Sequence, residues 1–592
     1  MRSFSPWSAQ RGPAVLSLSV LANSATPPPR RSPFEILVRH LLARFFQNEA
    51  MVTDEDSKRA VQLCYLVALP GLLIALYLFP SYHAYPIRRT FWPQVSDHYF
   101  YVTYSFVVMG MVTIYQWDLL FPDLLDIFVL SILPMRNRRL FLARISAIAI
   151  FLGLVLAGAN SLGGVFLPAV ADLPHRSRHC FAHFSAIFAS GVFASALFLA
   201  LQGVLLNLFS ARFLNRILPF IQAGSIILLL TMLFLFPLIS AALPYLLNVD
   251  IGFVRWFPPF WFLGIYERIL GGSTALPFFH RLAVSGCWAT GIALVFVFGT
   301  YPLAYKRKVR QLIEGPSNAT TRKTASLSTG NVLHSSLLHL PSRRATFHFV
   351  QQSLLRTRRH RVVLAMHGGV GIALAVADLI MLRLGHHHIR IAWSANGIRS
   401  AIPVIAFWTA AGMRNAVITP LNRAGSWVFR IISGRPTWQH LNGAMLLVAA
   451  WSIGLSLSAV FLLRAVAPES LRNPLSLSGQ AVAAIGCGLL LTDLLFLKVL
   501  VFPFTALRRT SITDLPLAFF RYFVLFPTMV FAVVDSEIWV EASLRHILTS
   551  VVLIMLAHAG LRYLYYLRVQ EMRMGSDFGD SDDIFQSLGL AE

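Results

Sequence analysis

The feature that most constrains this chain is a recurrence of apolar blocks close to 20 residues long, separated by short segments that carry most of the arginines and lysines. A helix needs about 20 apolar residues to cross the hydrocarbon core of a bilayer. In that solvent every backbone N–H and C=O must be satisfied internally, which favours the helix for a run of this length. Composition agrees: 56% of the 592 residues are hydrophobic and 13% are charged, against about 25% charged in soluble domains, and the mean hydropathy is +0.64. A single aqueous core does not absorb that much apolar surface. The sequence therefore reads as an all-α, polytopic integral membrane protein and not as a soluble enzyme.

Windows of about 19 residues predict spans near Val61–Phe79, Tyr99–Trp117, Phe141–Asn160, Phe181–Phe209, Ile217–Leu243 and Leu282–Ala304. Six more follow near Arg361–Leu382, Gly397–Val417, Leu441–Leu463, Ser478–Phe502, Pro516–Val534 and His546–Leu567. The first five starts precede their counterparts (Val61 and Arg361, Tyr99 and Gly397, Phe141 and Leu441, Phe181 and Ser478, Ile217 and Pro516) by 297 to 300 residues. That regularity predicts about 12 transmembrane helices in two parallel six-helix halves, an even number per half returning the chain to the same side. The expected organisation is a disordered leader over 1–33, a first membrane half over 34–304, a basic linker over 305–345, a second membrane half over 346–567 and an acidic tail over 568–592. In the leader, the apolar run Ala14–Leu21 is broken by serines, so disorder or a misplaced start codon is preferred to a signal peptide. The tail carries Asp577, Asp580, Asp582 and Asp583 and is expected to be disordered.

The net charge is +24, but the cations sit between apolar blocks and form no continuous basic domain, which argues against nucleic acid as a partner and for the bilayer surface. Arg39, Arg44, Lys58 and Arg59 precede the first span, Arg136, Arg138 and Arg139 follow the second, and Arg212 and Arg216 follow the fourth. Lys306, Lys308, Arg343, Arg344, Arg356, Arg358 and Arg359 separate the sixth from the seventh, and Arg423, Arg430 and Arg435 follow the eighth. Asp535, Glu537 and Glu541 mark the opposite side. The positive-inside rule then places both termini in the cytoplasm. The chain has four cysteines. Cys64, Cys287 and Cys487 lie inside apolar blocks, so no disulfide framework is read.

Before the first span, Phe34, Leu37, Val38, Leu41, Leu42 and Phe45 recur at helical spacing with Glu35, Arg39, His40 and Arg44 opposite, which predicts an amphipathic helix on the inner leaflet. Phe347, Val350 and Leu354 form a shorter stripe before the seventh span. After the second span, "QWDLLFPDLLDIFVLSILPMRNRRLFLARI" mixes apolar residues with Asp118, Asp123, Asp126 and an arginine cluster, too structured for a tether. Its counterpart after the eighth span holds an apolar piece between cations. Between the fifth and sixth spans, "VRWFPPFWFLGIYERILGG" is too apolar for a free loop and is punctuated by Pro258, Pro259, Gly271 and Gly272. A re-entrant or interfacial helical hairpin fits, with Trp256 and Trp261 suited to the headgroup zone. The second half has no equivalent stretch.

With this order of elements the first half resembles the permease subunit of type-2 ABC exporters, and "WDLLFPDLLDIFVLSILPMRNRRLF" and "FPPFWFLGIYE" look like duplicated bacterial permease-like membrane proteins of that group. The resemblance covers the organisation of nearly the whole chain. It implies a bacterial cytoplasmic (inner) membrane location, a separate cytoplasmic ATPase partner, and a coupling helix between spans two and three. Carried over, Asp118, Asp123, Arg136, Arg138 and Arg139 would dock on one ATPase copy, and Arg423, Arg430 and Arg435 on another. The missing second hairpin and the more basic second coupling segment depart from the pattern. GxxxxGK[ST] is absent and "SNATTRKT" is no phosphate-binding loop, so ATP hydrolysis must come from the partner.

Ionisable groups inside spans are expensive and default to functional candidates. Asp378 and Asp493 read as the deepest acids and as candidates for a translocation path, against the alternative of helix–helix contacts; Lys498 and Arg521 are expected to snorkel. His386, His387 and His388 are adjacent histidines on a short loop, which seldom converge on a metal without other ligands. His367 reads as a helix-contact residue, and the glycosylation pattern at Asn318 is discounted on a cytoplasmic loop. No cofactor is expected. Two other functions stay open: an ion-coupled secondary transporter using Asp378 and Asp493, and a membrane-embedded transferase built on Asp118, Asp123 and Asp126. No constellation of catalytic residues at convergent spacing is present, so an enzyme is not the favoured reading.

Overall fold

The computed structural model describes residues 32–46, 56–83, 89–130, 136–171, 176–248, 252–314, 338–384, 389–419, 437–466, 473–505 and 520–574. The described residues are overwhelmingly helical. Among them, ten helices are long and apolar enough to cross a membrane, by length and composition. The chain is thus a multi-pass membrane protein of the all-α class.

The first group comprises α1 (Pro33–Phe46), α2 (Asp56–His83), α3 (Phe91–Tyr115), the short α4 (Leu124–Leu130), α5 (Asn137–Ala171), α6 (Arg176–Leu208), α7 (Ala211–Phe234), α8 (Phe236–Asn248), α9 (Gly252–Trp256), α10 (Pro258–Gly271) and α11 (Pro277–Ile313). Helix α3 sits at its centre, packed against α5, α6, α7, α8 and α10. Its polar residues Ser96, Asp97, His98, Thr103, Ser105 and Thr113 are buried among those neighbours. That explains why a helix at the heart of the bundle is not one of the ten most apolar. The predicted amphipathic helix is α1, which lies on α5 with Leu37, Val38, Leu41 and Phe45 buried. Phe45 stacks on Phe151 at 4.9 Å between centroids. Helices α2 and α5 approach closely because both carry glycine at the crossing: a Cβ on Gly71 would stand 3.3 Å from the Cα of Gly163.

The second group comprises α12 (Pro341–Arg356), α13 (Arg358–Leu379), a two-stranded hairpin of β1 (Ile380–Leu384) and β2 (Ile389–Trp393), α14 (Ala395–Ile418), α15 (Trp438–Val466), α16 (Pro474–Phe496), α17 (Phe526–Val540, preceded by a π-helical turn from Phe520 to Leu525) and α18 (Leu544–Met574). Helix α14 is the centre here, packed against α13, α15, α16 and α17. Helix α12 lies on α15 through Phe347, Val350 and Leu354, the stripe expected from the sequence. Helix α7 runs along α13 and joins the two groups.

Departures from the hydropathy reading at the fifth, seventh and tenth spans change the path of the chain. The fifth predicted span breaks at Leu235 into α7 and α8. The seventh ends at Leu379, where the chain enters a strand: Ile380 pairs with Trp393 and Met381 with Ala392 across an antiparallel ladder. The tenth stops at Phe496, and the chain turns to Phe504, whose φ of 63° lies in the left-handed region. The N–H of Phe504 donates to the carbonyl of Val417 at 2.8 Å, which holds that turn against the end of α14.

The stretch expected to form a hairpin between spans five and six is helical, as α9 and α10. Pro258 and Pro259 fall in the first turn of α10, where proline costs no hydrogen bond. Gly272 ends the helix with φ 57°, the left-handed conformation that glycine adopts without strain. Helix α10 packs on α11, α6 and α3, with Phe260, Phe262, Leu263 and Tyr266 buried, so most of its surface meets protein. Trp256, by contrast, is 83% exposed.

Candidate functional site

Among the described residues, three gatherings of charged and polar side chains bear on function, and the first is the connection between α3 and α5. Asp123 precedes α4 and Asp126 stands in its first turn. The N–H of Asp126 donates to Asp123 Oδ1 at 2.6 Å and the N–H of Asp123 to Asp126 Oδ2 at 3.3 Å. This is the reciprocal capping arrangement that fixes a helix start. Two arginines complete it. Arg44, in the last turn of α1, donates to Asp126 and, at 3.0 Å, to Asp123 Oδ2. Arg144, buried on α5, donates to Asp126 Oδ2 at 2.9 Å and to the carbonyls of Leu119 at 2.9 Å and Phe121 at 2.7 Å. From α11, the Tyr301 hydroxyl donates to the carbonyl of Leu120 at 2.6 Å. The short element is therefore held by α1, α5 and α11 together.

Of the residues predicted to couple, Asp123 belongs to this cluster. Asp118 is exposed on the turn after α3, and Arg136, Arg138 and Arg139 are exposed at the start of α5. Arg423, Arg430 and Arg435 lie outside the described residues. Sequence reasoning gave Asp126 a part only in the transferase alternative, read Arg44 as a polar-face residue and a marker of orientation, and passed over Arg144. The signal was present as an acid three residues after Asp123 and an arginine, Arg144, inside an apolar block.

The second gathering is at the opposite end of α3. Arg89 Nε and Nη2 donate to the two carboxylate oxygens of Asp97, each at 2.6 Å, and the Tyr82 hydroxyl donates to Oδ2 at 2.9 Å. The bidentate geometry is the stronger form of a guanidinium–carboxylate pair. Partial burial by itself lowers the Arg89 pKa, but the hydrogen bond to Asp97 and the attraction of its charge together leave it raised. One residue on, His98 Nδ1 lies 2.6 Å from Glu267 Oε1, and its ring stacks on Tyr266 with centroids 4.0 Å apart. The Tyr266 hydroxyl lies 2.8 Å from His179 Nε2 and 3.0 Å from His183 Nδ1, so it donates to one imidazole and accepts from the other. His98, His179, His183, Tyr266 and Glu267 are all buried. The network joins α3, α6 and α10 and is what fastens the hairpin helix to the bundle. Sequence analysis gave these residues no role; the readable signal was a histidine pair at i, i+4 opening an apolar block.

The third gathering surrounds Asp493 on α16, which is 2% exposed. Its Oδ2 lies 2.5 Å from His558 Nδ1 and its Oδ1 lies 2.9 Å from Arg562 Nε, both on α18. Arg562 also donates to Asn442 Oδ1 at 2.6 Å, which reaches α15. Asp378, the other candidate for a translocation path, is placed differently: it is exposed in the last turn of α13, accepting a hydrogen bond from Ser400. The helix ends one residue later and turns into β1, so Asp378 is not a mid-span acid. The structure does not bring Asp378 and Asp493 together in any shared contact.

His367 joins α13 to α14, donating from Nδ1 to the carbonyl of Val363 at 2.8 Å and accepting from Asn415 Nδ2 at 2.9 Å. Lys498 is exposed and Arg521 half-buried. His386, His387, His388 and Asn318 lie outside the described residues. Among the described residues, no group of three or more histidine, cysteine or acidic side chains is placed to hold a metal ion. The chain matches no protein-family model, no curated protein and no solved structure.

Proposed function

We propose that the chain is the permease-like subunit of an ABC exporter in a bacterial inner membrane, moving its substrate with a separate cytoplasmic ATPase. The observation that carries this reading is the clamp on α4. A coupling element must pass a push from a soluble partner into the spans, which requires that it be rigidly tied to several of them. Helix α4 and the turn that leads into it meet that requirement: Arg44 on α1 and Arg144 on α5 hold Asp126, and Tyr301 on α11 holds Leu120 in the turn. The exposed Arg136, Arg138 and Arg139 beside it offer a partner a cationic surface.

The twelve-span, two-half arrangement belongs to the same proposal. It is supported by matched packing: α1 on α5 and α12 on α15, α3 with α6 and α14 with α16, α3 with α7 and α14 with α17, α6 with α11 and α16 with α18. Both termini and α4 are then cytoplasmic, by the distribution of cations. The test is to purify the tagged protein from its native membrane in mild detergent and measure, by mass spectrometry, whether a P-loop ATPase accompanies it stoichiometrically. Charge reversal at Arg138 and Arg139 should abolish that recovery. Purification free of any ATPase would sink the reading.

A second reading, an ion-coupled carrier, draws on Asp493, a buried acid paired with His558 and Arg562 where the two helices meet. The transferase alternative has less support, since Asp123 and Asp126 are engaged by two arginines that hold them as structural acceptors.

A further inference from the structure

Two cavities lie one after the other along α5 and α11. The first, of about 310 Å³, is apolar and is lined by Leu152, Leu156, Leu199, Leu294 and Val297, with Tyr301 at one end. One helical turn further along α11, Tyr305 enters the lining of a second cavity of about 530 Å³, together with Arg144, Asn137, Lys306 and Arg310. On α5 the two are equally contiguous, with Ile145 lining the first and Arg144 the second. Together they form a slot with an apolar length and a polar end.

The polar end is cationic. Its acids are Asp126, already met by Arg44 and Arg144, and Glu314, which accepts from Arg310 at 2.6 Å. Arg144 is buried and lines this cavity, yet among the described residues its Nε–H has no acceptor. A buried guanidinium N–H without a partner is costly unless something in the cavity accepts from it. The apolar end faces the bilayer: Phe298 in its lining is 70% exposed, and the flanking Leu154 and Val295 are 49% and 72% exposed.

We propose that this slot holds an anionic glycerophospholipid, one acyl chain in the apolar cavity and the phosphate in the cationic one, where its oxygens accept from Arg144 Nε and from Lys306. A free anion would use the second cavity alone and leave the first unexplained, whereas a lipid fills both with the chemistry each presents. The positive-inside orientation assigns the lipid to the cytoplasmic leaflet. The inference does not depend on an ATPase engaging α4.

Two variants test it without touching Arg144. A Cβ at Gly153, beside the apolar cavity, would meet nothing within 4 Å, so Gly153→Leu is accommodated by the helix and occupies the chain's place. Lys306 is exposed, so Lys306→Glu reverses charge at the headgroup end without disturbing the core. The full-length protein in detergent would be titrated with phosphatidylglycerol and with phosphatidylcholine, and the bound lipid read by native mass spectrometry. Phosphatidylglycerol should be retained roughly tenfold better, each variant should lose roughly tenfold of that retention, and inorganic phosphate should not displace it. Equal retention of the two lipids would overturn the proposal. So would phosphatidylglycerol binding that neither variant weakens, or displacement by inorganic phosphate, which would make the polar cavity a simple anion site.

Discussion

Arg144 on α5 and Asp126 on α4 meet at 2.9 Å with both side chains almost wholly buried, the most buried of the contacts that hold the element between α3 and α5. Removing one member of a buried pair leaves the other uncompensated, at a cost of about 3 to 5 kcal/mol. Asp126→Ala is therefore expected to lower stability by about 3 kcal/mol in denaturant unfolding of the detergent-solubilised protein. Arg138→Ala and Arg139→Ala, at exposed positions on the next helix, should stay within about 0.5 kcal/mol. The two sets separate holding the element from presenting it: under the proposed function, reversing Arg138 and Arg139 costs partner binding and leaves the fold intact.

Asp493 and Arg562 provide the same kind of pair in the second group, and here the structural and transport readings make different predictions. Asp493→Leu leaves the largely buried Arg562 cation with no carboxylate, and Arg562→Leu leaves Asp493 with His558 alone, so each should destabilise, the first by about 3 kcal/mol. The double variant should recover most of that loss, since replacing a buried ion pair by apolar residues is often neutral. A double variant as stable as the natural protein that still moves substrate would end the case for Asp493 in a translocation path. One that folds and moves nothing would favour the carrier.

Much of this architecture was legible because hydrophobic length and period report directly on burial. The buried faces of α1 and α12 followed from stripes at helical spacing, and the limits of α10 from Pro258, Pro259, Gly271 and Gly272. What was illegible depended on contacts distant in sequence. Nothing in the local pattern ties Arg44 to Asp126, 82 positions away, or His98 to Glu267, 169 positions away. Asp378 misled for a related reason: hydropathy averages over a window and reads Ile380 to Leu382 as a continuing helix, whereas these residues pair as a strand with a segment about ten positions further on.

Gly264 tests how tightly the hairpin helix is held. A Cβ there would come within 2.7 Å of the backbone nitrogen of Ala283 and 2.8 Å of the carbonyl oxygen of Phe279, and neither can give way as a flexible side chain would. Gly264→Ala must push α10 away from α11, and a displacement of that kind costs roughly 1 to 3 kcal/mol. It also strains the His98–Glu267 contact, because Glu267 is one turn further along α10. Amide exchange should accelerate over Pro258–Gly271 while the exchange of α13 to α18 is unchanged. Uniform acceleration throughout the chain would show that α10 is part of the global core and not a separately seated element.

Glu537 presents the opposite case, a buried carboxyl that the fold does not use. It is 1% exposed on α17, and among the described residues neither of its carboxyl oxygens has a hydrogen-bond partner. One turn on, Glu541 is fully engaged: Arg399 donates to it at 2.9 Å and Ser476 at 2.9 Å. A buried polar group without partners costs about 1 to 3 kcal/mol, so an apolar side chain of similar length should relieve that cost. Glu537→Met is expected to raise stability by about 1 kcal/mol or more, whereas Glu541→Met should lower it by a similar amount by stranding Arg399. Thermal unfolding of the two variants in the same detergent gives the comparison directly. If Glu537→Met were as damaging as Glu541→Met, the carboxyl would have to be satisfied in the membrane by something that binds it there, and its place on α17 would be structural.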